Sequence, residues 1–418
     1  MKYYVVLVAH LLLLFSMCIT QEQENAPPIM PMEKQERESL YSALQGFVGE
    51  PWNGYELYPD PCGWTPIQGV GCDIMDGHWY VTVLSIGSVL QYSLQCGETA
   101  EFPRQLFQLK HLKSLSIVSC FNSIENPTKL PSTEWQAISD TLEMLDLRSN
   151  PGLVGTIPAG IGFLRRLQSL VLHESGVSGE IPMELGNLTN LKRLILAGNR
   201  LRGEIPPSIG GLSKLLILDA SGNLLSGQIP SSIQGLMSAL KVDLSSNKLG
   251  GAIPNVWGNL KDLGLLDLGN NNLSGGLTNS FESLSSLNAL RVSNNPMMGG
   301  DLMGVKWEML ENLELLDLSN CGLRGGISEG IAKMKRLRYL DISNNNLTGE
   351  VSKMFGERSN LGSLFLNGNN LSGRLEFKGS FYGRMGHRLR LWSNAMLCYL
   401  HDHVSLNGPP HGLSACKQ

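Results

Sequence analysis

Residues 191–206 read LKRLILAGNRLRGEIP, and the placement of leucine, asparagine, glycine and proline in that stretch decides the fold. Leu191, Leu194 and Leu196 lead to Asn199, and Leu201, Gly203, Ile205 and Pro206 follow it. The first part, L-x-x-L-x-L-x-x-N, recurs as Leu263-Leu266-Leu268-Asn271 and as Leu337-Leu340-Ile342-Asn345. It opens at positions 112, 142, 167, 191, 215, 239, 263, 287, 313, 337 and 361, and seven of those ten intervals are 24 residues. The remaining intervals are 30, 25 and 26 residues, so the chain is one repeat array rather than a string of domains. Partial turns near Val81 and Gly386 leave the array ragged at both ends, as capping repeats are.

The pattern dictates a solenoid. In x-L-x-L, alternate side chains face opposite ways, so the leucines point inward and the intervening residues outward. No turn can bury its leucines alone, and stacking the turns builds a continuous core with a parallel sheet along one face. The closing Asn is polar yet buried, so it needs backbone partners on neighbouring turns. Cys120 and Cys321 stand in that same slot. In the following L-x-G-x-I-P, Gly permits backbone that other residues resist, and Pro stops the next segment pairing as regular strand. Five repeats keep Ile-Pro, ending at Ile253-Pro254, whereas Gly349-Glu350-Val351-Ser352 keeps the Gly and lacks the Pro. The convex side is therefore expected to change character halfway along. The expected fold class is an α/β repeat solenoid.

Composition removes several functions. A net charge of −4 with no block of like charge lacks the basic stripe of a nucleic-acid binder. The first 20 residues read as a signal peptide: Lys2, then the apolar run Val5–Phe15 broken by His10, then small residues before Gln21. That run is shorter than the roughly 20 residues a bilayer span takes. No second run of spanning length follows, so the mature protein is expected to be secreted. An N-terminal cap is expected over 21–78, repeats over 79–397 and a C-terminal cap over 398–418. In the first cap, Met32–Phe47 reads as a helix with Leu40, Ala43, Leu44 and Phe47 on one face. Cys62 and Cys72 lie close together before the array, and Cys398 and Cys416 after it. Disulfides Cys62–Cys72 and Cys398–Cys416 are expected to staple the two ends, each adding about 2–4 kcal/mol.

The L-x-G-x-I-P signature, together with Trp52-Asn53, Cys62-Gly63-Trp64 and Gly69-Val70-Gly71-Cys72, resembles the plant-specific leucine-rich-repeat class of receptor kinases and receptor-like proteins. Closer cues are Leu109-Lys110-His111-Leu112-Lys113 leading to Cys120, and Arg388-Leu389-Arg390-Leu391 running into Asn394-Ala395-Met396-Leu397-Cys398. In these the chain is similar to the kinase-less receptor-like proteins near Too Many Mouths and the Piriformospora indica-insensitive proteins. The resemblance covers essentially the whole mature chain. It implies a leucine-rich-repeat horseshoe with a concave parallel sheet and, from Cys counterparts in the relatives, a third bridge, Cys96–Cys120. It also implies roles in perceiving secreted peptides or microbial signals beside a receptor kinase that supplies the cytoplasmic output. Such relatives often carry a C-terminal hydrophobic segment that this sequence does not show. The expected location is thus the apoplast or the outer face of the plasma membrane, with attachment peripheral or through partners.

No cofactor or enzyme signature stands out. Walker, G-x-G-x-x-G and H-E-x-x-H motifs are absent, and the one G-x-S-x-G, Gly326–Gly330, places Ser328 where the repeat has Pro, on the wrong side of the turn for a hydrolase elbow. Six concave positions carry Asp (Asp146, Asp219, Asp243, Asp267, Asp317 and Asp341), but L-D-L-S is the common spelling of this repeat, and no metal site is expected. The informative positions depart from that filler: His173, Arg193, Arg291, Tyr339, Phe365, Arg388, Arg390 and Trp392. Aromatics and arginines on a rigid sheet are the residue types that dominate interface energetics. Arg388 and Arg390 flank Leu389 and are expected to point together into the concave face. They resemble the Arg-x-Arg pair by which some peptide-hormone receptors hold a ligand's terminal carboxylate. Four sequons, at Asn187, Asn272, Asn346 and Asn370, are candidate glycosylation sites, the last three at expected exposed turns. Two functions compete: a cell-surface recognition protein binding a secreted peptide or protein and a receptor kinase ectodomain, or an extracellular inhibitor of a microbial hydrolase.

Overall fold

A computed structural model describes residues 30–50, 52–89, 93–400 and 412–416. The expected signal peptide and its cleavage point lie outside the described residues, as does much of the C-terminal cap. Fourteen strands form a single sheet, entirely parallel except where Val70–Met75 pairs antiparallel with His78–Gly87. From there each turn adds one short strand in sequence order, ending at Leu389–Arg390. Strand-to-strand register is kept through the array: Leu194, Leu218, Val242, Leu266, Leu290, Leu316, Leu340 and Leu364 follow one another, every one buried.

The Asn of each turn joins it to the preceding one. Asn295, fully buried, accepts from the Leu273 amide at 2.9 Å and donates to the Leu268 and Val292 carbonyls at 3.1 and 2.6 Å. Asn150, Asn199, Asn223, Asn271, Asn345, Asn369 and Asn394 repeat the arrangement. Cys321 occupies the slot as a buried free thiol whose Sγ lies 3.3 Å from Val292 O and 3.4 Å from Ser319 O. It supplies the donor half of the Asn role, and burial pushes its pKa up to about 12.

A second layer of short strands runs behind the concave sheet, from Thr128–Lys129 to Leu224–Leu225 and again from Arg324–Gly325 to Ser414–Ala415. Between them lies only the pair Gly250–Ala252 and Asn272–Ser274. The convex side changes where the Ile-Pro series stops. Pro158, Pro182, Pro206 and Pro230 each open a 3-10 turn. Later, Ser328 caps an α-helix, Glu329–Lys333, its hydroxyl accepting from the Gly330 amide. Pro fixes φ and removes its own donor, whereas a Ser cap satisfies a free amide of the first helical turn.

At the N-terminus, helix Lys34–Val48 buries Leu40, Tyr41, Ala43, Leu44 and Phe47 against the first turns, and Gly49 at φ 82° ends it. Glu36 is also buried, accepting from the Val81 amide at 3.1 Å, a cap contact that the apolar pattern did not reveal. His78–Gly87 belongs to both the cap hairpin and the concave sheet, so the boundary expected at 78 falls inside a shared hairpin. Disulfides join Cys62 to Cys72, Cys96 to Cys120 and Cys398 to Cys416. Among the described residues, no helix is long and apolar enough to cross a membrane.

The ladder sets a graded stability test. Asn295→Ala strands a buried amide and two carbonyls, each costing about 1–3 kcal/mol, so the variant is expected to lose roughly 3 kcal/mol or more. Cys321→Ala removes a weak donor and is expected to cost nearer 1 kcal/mol. Urea unfolding followed by circular dichroism ranks the two, and equal losses would show that the amide is not the joint.

Candidate functional site

The concave sheet offers outward rows fixed by the register. One row runs Asp219, Asp243, Asp267, Arg291, Asp317, Asp341, Phe365, Arg390. Another carries Arg193, Ile217, Lys241, Leu265, Ala289, Leu315 and Tyr339. Neighbouring strands sit about 4.8 Å apart, so these side chains meet their neighbours across turns.

The aspartates are not simply solvated filler. In L-D-L-S, the Asp carboxylate accepts from both the amide and the hydroxyl of the Ser two residues on. For Asp341 these distances to Ser343 are 2.9 and 2.6 Å. Asp219, Asp243 and Asp317 hold Ser221, Ser245 and Ser319 in the same way, and Asp267 accepts from the Gly269 amide. The Asp therefore fastens the turn that leaves each strand.

Their second oxygens differ in what they meet. Asp146 is gripped by Arg148, whose Nε lies 3.0 Å from both carboxylate oxygens. Lys241, which the sequence reading did not single out, bridges Asp219 at 2.8 Å and Asp243 at 3.3 Å. Arg291 turns to Asp267 at 3.4 Å. Asp317 and Asp341 have no such cation within ion-pair distance among the described residues. Burial raises the Asp341 carboxyl pKa, and the charge of Asp317 adds to the rise. Burial also opposes ionisation of Asp219, but hydrogen bonds from Lys241 and Ser221 outweigh it and hold that carboxyl low.

The expected concave residues divide into three places. His173, with Nδ1 3.2 Å from Ala197 O and Nε2 3.7 Å from Glu174, and exposed Arg193 stand toward the N-terminal half. Arg291 sits mid-array in its ion pair. Four residues come together at the C-terminal end. Tyr339 meets Phe365 edge to face, with centroids 5.5 Å apart. The Arg390 guanidinium lies 4.4 Å from the Phe365 centroid and 5.8 Å from that of Trp392, which is 38% exposed. Burial, helped by the charges of Asp341 and Asp317, pushes the Tyr339 hydroxyl up to about 12, so it stays a donor.

Arg388 departs from expectation. It falls in a 3-10 turn, Gly386–Arg388, just before the last strand, and its Nη2 donates to the Arg384 carbonyl at 2.8 Å. The strand begins one residue too late to aim both arginines together, so Arg390 alone joins the aromatic cluster. Nor does Arg390 pair with Glu376 or any other acid among the described residues. Ser328, capping a helix turn through its hydroxyl, has a structural role. The four sequon asparagines are all exposed, but Asn272, Asn346 and Asn370 open short second-layer strands rather than turns.

The leucine core, the Asn joints and the concave parallel sheet together give a leucine-rich-repeat fold. The family profile "Leucine Rich repeats (2 copies)" matches residues 311–353, and "Leucine Rich Repeat" matches 190–212 and 214–236. The chain is 54% identical over 147 residues to Piriformospora indica-insensitive protein 2 of Arabidopsis thaliana, covering 35% of this chain and 34% of that protein. It is 34% identical over 167 residues to Receptor like protein 29 of the same plant, covering 39% and 34%. The matches thus span about a third of each curated relative's length. Among solved structures it is similar to a TDR receptor, at 28% identity and TM-score 0.63 over 77% of this chain and 52% of that one. It is similar also to the Arabidopsis receptor kinase HAESA in complex with the peptide hormone IDA and the co-receptor SERK1. That likeness is at 28% identity and TM-score 0.63, over 88% and 62% of the two chains.

The unequal pairing of the aspartates predicts opposite responses to neutralisation. A raised folded-state pKa means the folded protein holds its proton more tightly, so Asp341 lowers stability as pH rises above about 4, the unfolded value. Asp219, held low, contributes stability above that pH and loses it as pH falls below. Asp341→Asn is therefore expected to unfold no more easily than the parent at pH 7, while Asp219→Asn unfolds more easily. Denaturant midpoints between pH 3.5 and 8 check both signs.

Proposed function

We propose that this protein is an extracellular recognition module that holds a secreted peptide against the C-terminal part of its concave sheet, beside a receptor kinase ectodomain. The observation that carries this reading is Arg390. Its guanidinium is stacked over Phe365 and next to Trp392 and has no acidic partner among the described residues. A planar guanidinium kept free of internal carboxylates and flattened on aromatic rings is ready to take an external carboxylate through two parallel hydrogen bonds. Phe365 and Trp392 supply apolar contact for the adjoining ligand side chain. The concave surface is an open sheet suited to an extended chain.

The neighbours support the class of ligand. HAESA binds a peptide hormone together with a co-receptor, on the same architecture. Extracellular display fits the three disulfides, which belong to oxidising compartments. It also fits the exposed asparagines at 187, 272, 346 and 370. Arg193 and His173 lie along the same face and are available to a longer ligand, whereas Arg291 is held by Asp267 and Arg388 serves the last turn.

Proximity labelling by the secreted protein on plant cells is expected to mark a receptor kinase, and Arg390→Ala with Trp392→Ala is expected to abolish the mark. Binding to the captured partner or its peptide is expected to weaken by about 30-fold or more, with secretion and melting unchanged. Unchanged binding would remove the concave cluster from the site. For the secretory route, N-glycan release by an amidase is expected to lower the mass of the protein recovered from plant culture medium. A protein already free of glycan would argue against passage through that route.

A further inference from the structure

We infer that the C-terminal concave face reads a dipolar peptide segment: a basic side chain placed over Asp341 and Asp317, and a carboxylate placed on Arg390, with the intervening stretch over Phe365. This rests on the proposed peptide-binding reading and adds the charge pattern and direction of the ligand.

The argument comes from which charges the protein neutralises for itself. Along the sheet, Asp146 has Arg148, Asp219 and Asp243 share Lys241, and Asp267 has Arg291. Arg148 stands two residues beyond Asp146, and Lys241 and Arg291 stand on the same strand as their aspartates or an adjacent one. At Asp317 and Asp341 the series stops. Asp317 lies next to Arg291 in register, but that guanidinium is turned away to Asp267. Asp341 has Asp317 on one side and Phe365 on the other, so its neighbours are a like charge and a ring. One oxygen of each carboxylate holds Ser319 or Ser343, and the other faces the concave surface, where Asp341 meets only the Tyr339 hydroxyl, at 3.4 Å.

One strand beyond Phe365, the opposite charge is equally unmatched. Arg390 stacks on two rings and reaches no acid. Two half-buried carboxylates and one exposed guanidinium thus lie on the concave surface without an ion-pair partner among the described residues. Leaving them apart costs electrostatic energy that a ligand of complementary charge recovers. Phe365 and Tyr339 occupy the gap and keep the two ends from neutralising each other.

The spacing sets the ligand. Asp341 and Arg390 are two strands apart, about 10 Å. An extended peptide lying along the solenoid axis rises about 3.3 Å per residue, so its cation and carboxylate stand about three residues apart. The carboxylate on Arg390 comes from the peptide's C-terminus about three residues on or, because side chains of an extended chain share a face only at even spacing, from an acidic side chain about two or four residues on.

Selection from random peptides tests this with the intact secreted protein as bait, using one library with free C-termini and one with amidated C-termini. The expected result is about fivefold or greater enrichment of Lys or Arg about two to four positions before the carboxylate, with an apolar residue between. Enrichment in the free library alone assigns the carboxylate to the C-terminus, and enrichment of Asp or Glu in both assigns it to a side chain. Against Asp317→Asn/Asp341→Asn bait the basic preference is expected to disappear while the carboxylate preference stays, and against Arg390→Gln the reverse. Selected peptides without a basic preference that still depend on Arg390 would overturn the dipolar ligand and leave the peptide-binding reading standing. Peptides that bind all three baits equally, or no enrichment in either library, would overturn both.

Discussion

A turn of this solenoid cannot exist alone, because its leucines are buried only by the turns on either side and its exit from the strand leaves backbone groups without partners. The buried asparagine meets both needs at once: its amide donates to carbonyls of its own and the preceding turn and accepts an amide from the latter. This joint also dictates what precedes it. Asn270, Asn294, Asn320 and Asn344 stand at φ between 52° and 57°, where Gly198, Gly222 and Gly368 stand in other turns. The chain swings out of the strand in a left-handed conformation that short polar residues and glycine tolerate, delivering the next Asn inward. Leucine spacing, strand register and the flat concave sheet all depend on that repeated joint.

Because the joint fixes register, it also fixes rows of side chains on the concave face, and chemistry along the sheet becomes a one-dimensional pattern. The aspartate row is first structural: each carboxylate fastens its own Ser or Gly amide. Electrostatics is a second layer laid over it by a few cations, Lys241 and Arg291 on neighbouring strands and Arg148 just past the end of Asp146's own strand. Where those residues are missing, near Asp317 and Asp341, the same structural aspartates become available charge. A site can thus arise without any new acid, from the absence of a neutralising partner.

The side behind the concave sheet behaves differently, since its strands pair in three separate groups rather than through the whole array. Pro-led 3-10 turns give way first to 3-10 turns without Pro, at Trp257–Asn259, Asn279–Ser283 and Trp307–Met309, and from Glu329 to short α-helices, while the second strand layer thins where the Ile-Pro series ends. The concave sheet passes through this change without a break. Variation behind the sheet is tolerated because the concave sheet runs unbroken through the array, while the second strand layer joins the turns only in separate groups.

The sequence by itself determined the repeat, its inward leucines, its Asn joints, the cap helix and the cysteine pairs flanking the array. These follow from local periodicity, because every turn solves the same burial problem with the same spacing. It also marked Tyr339, Phe365, Arg390 and Trp392 as departures from the filler. Tertiary structure alone decided that these four meet, that Arg388 turns back to Arg384, and which aspartates are neutralised. Those outcomes depend on where the last strand begins and on which side chain of a neighbouring turn leans across a gap of a few ångströms. No periodicity within one repeat encodes either, since both are set between turns.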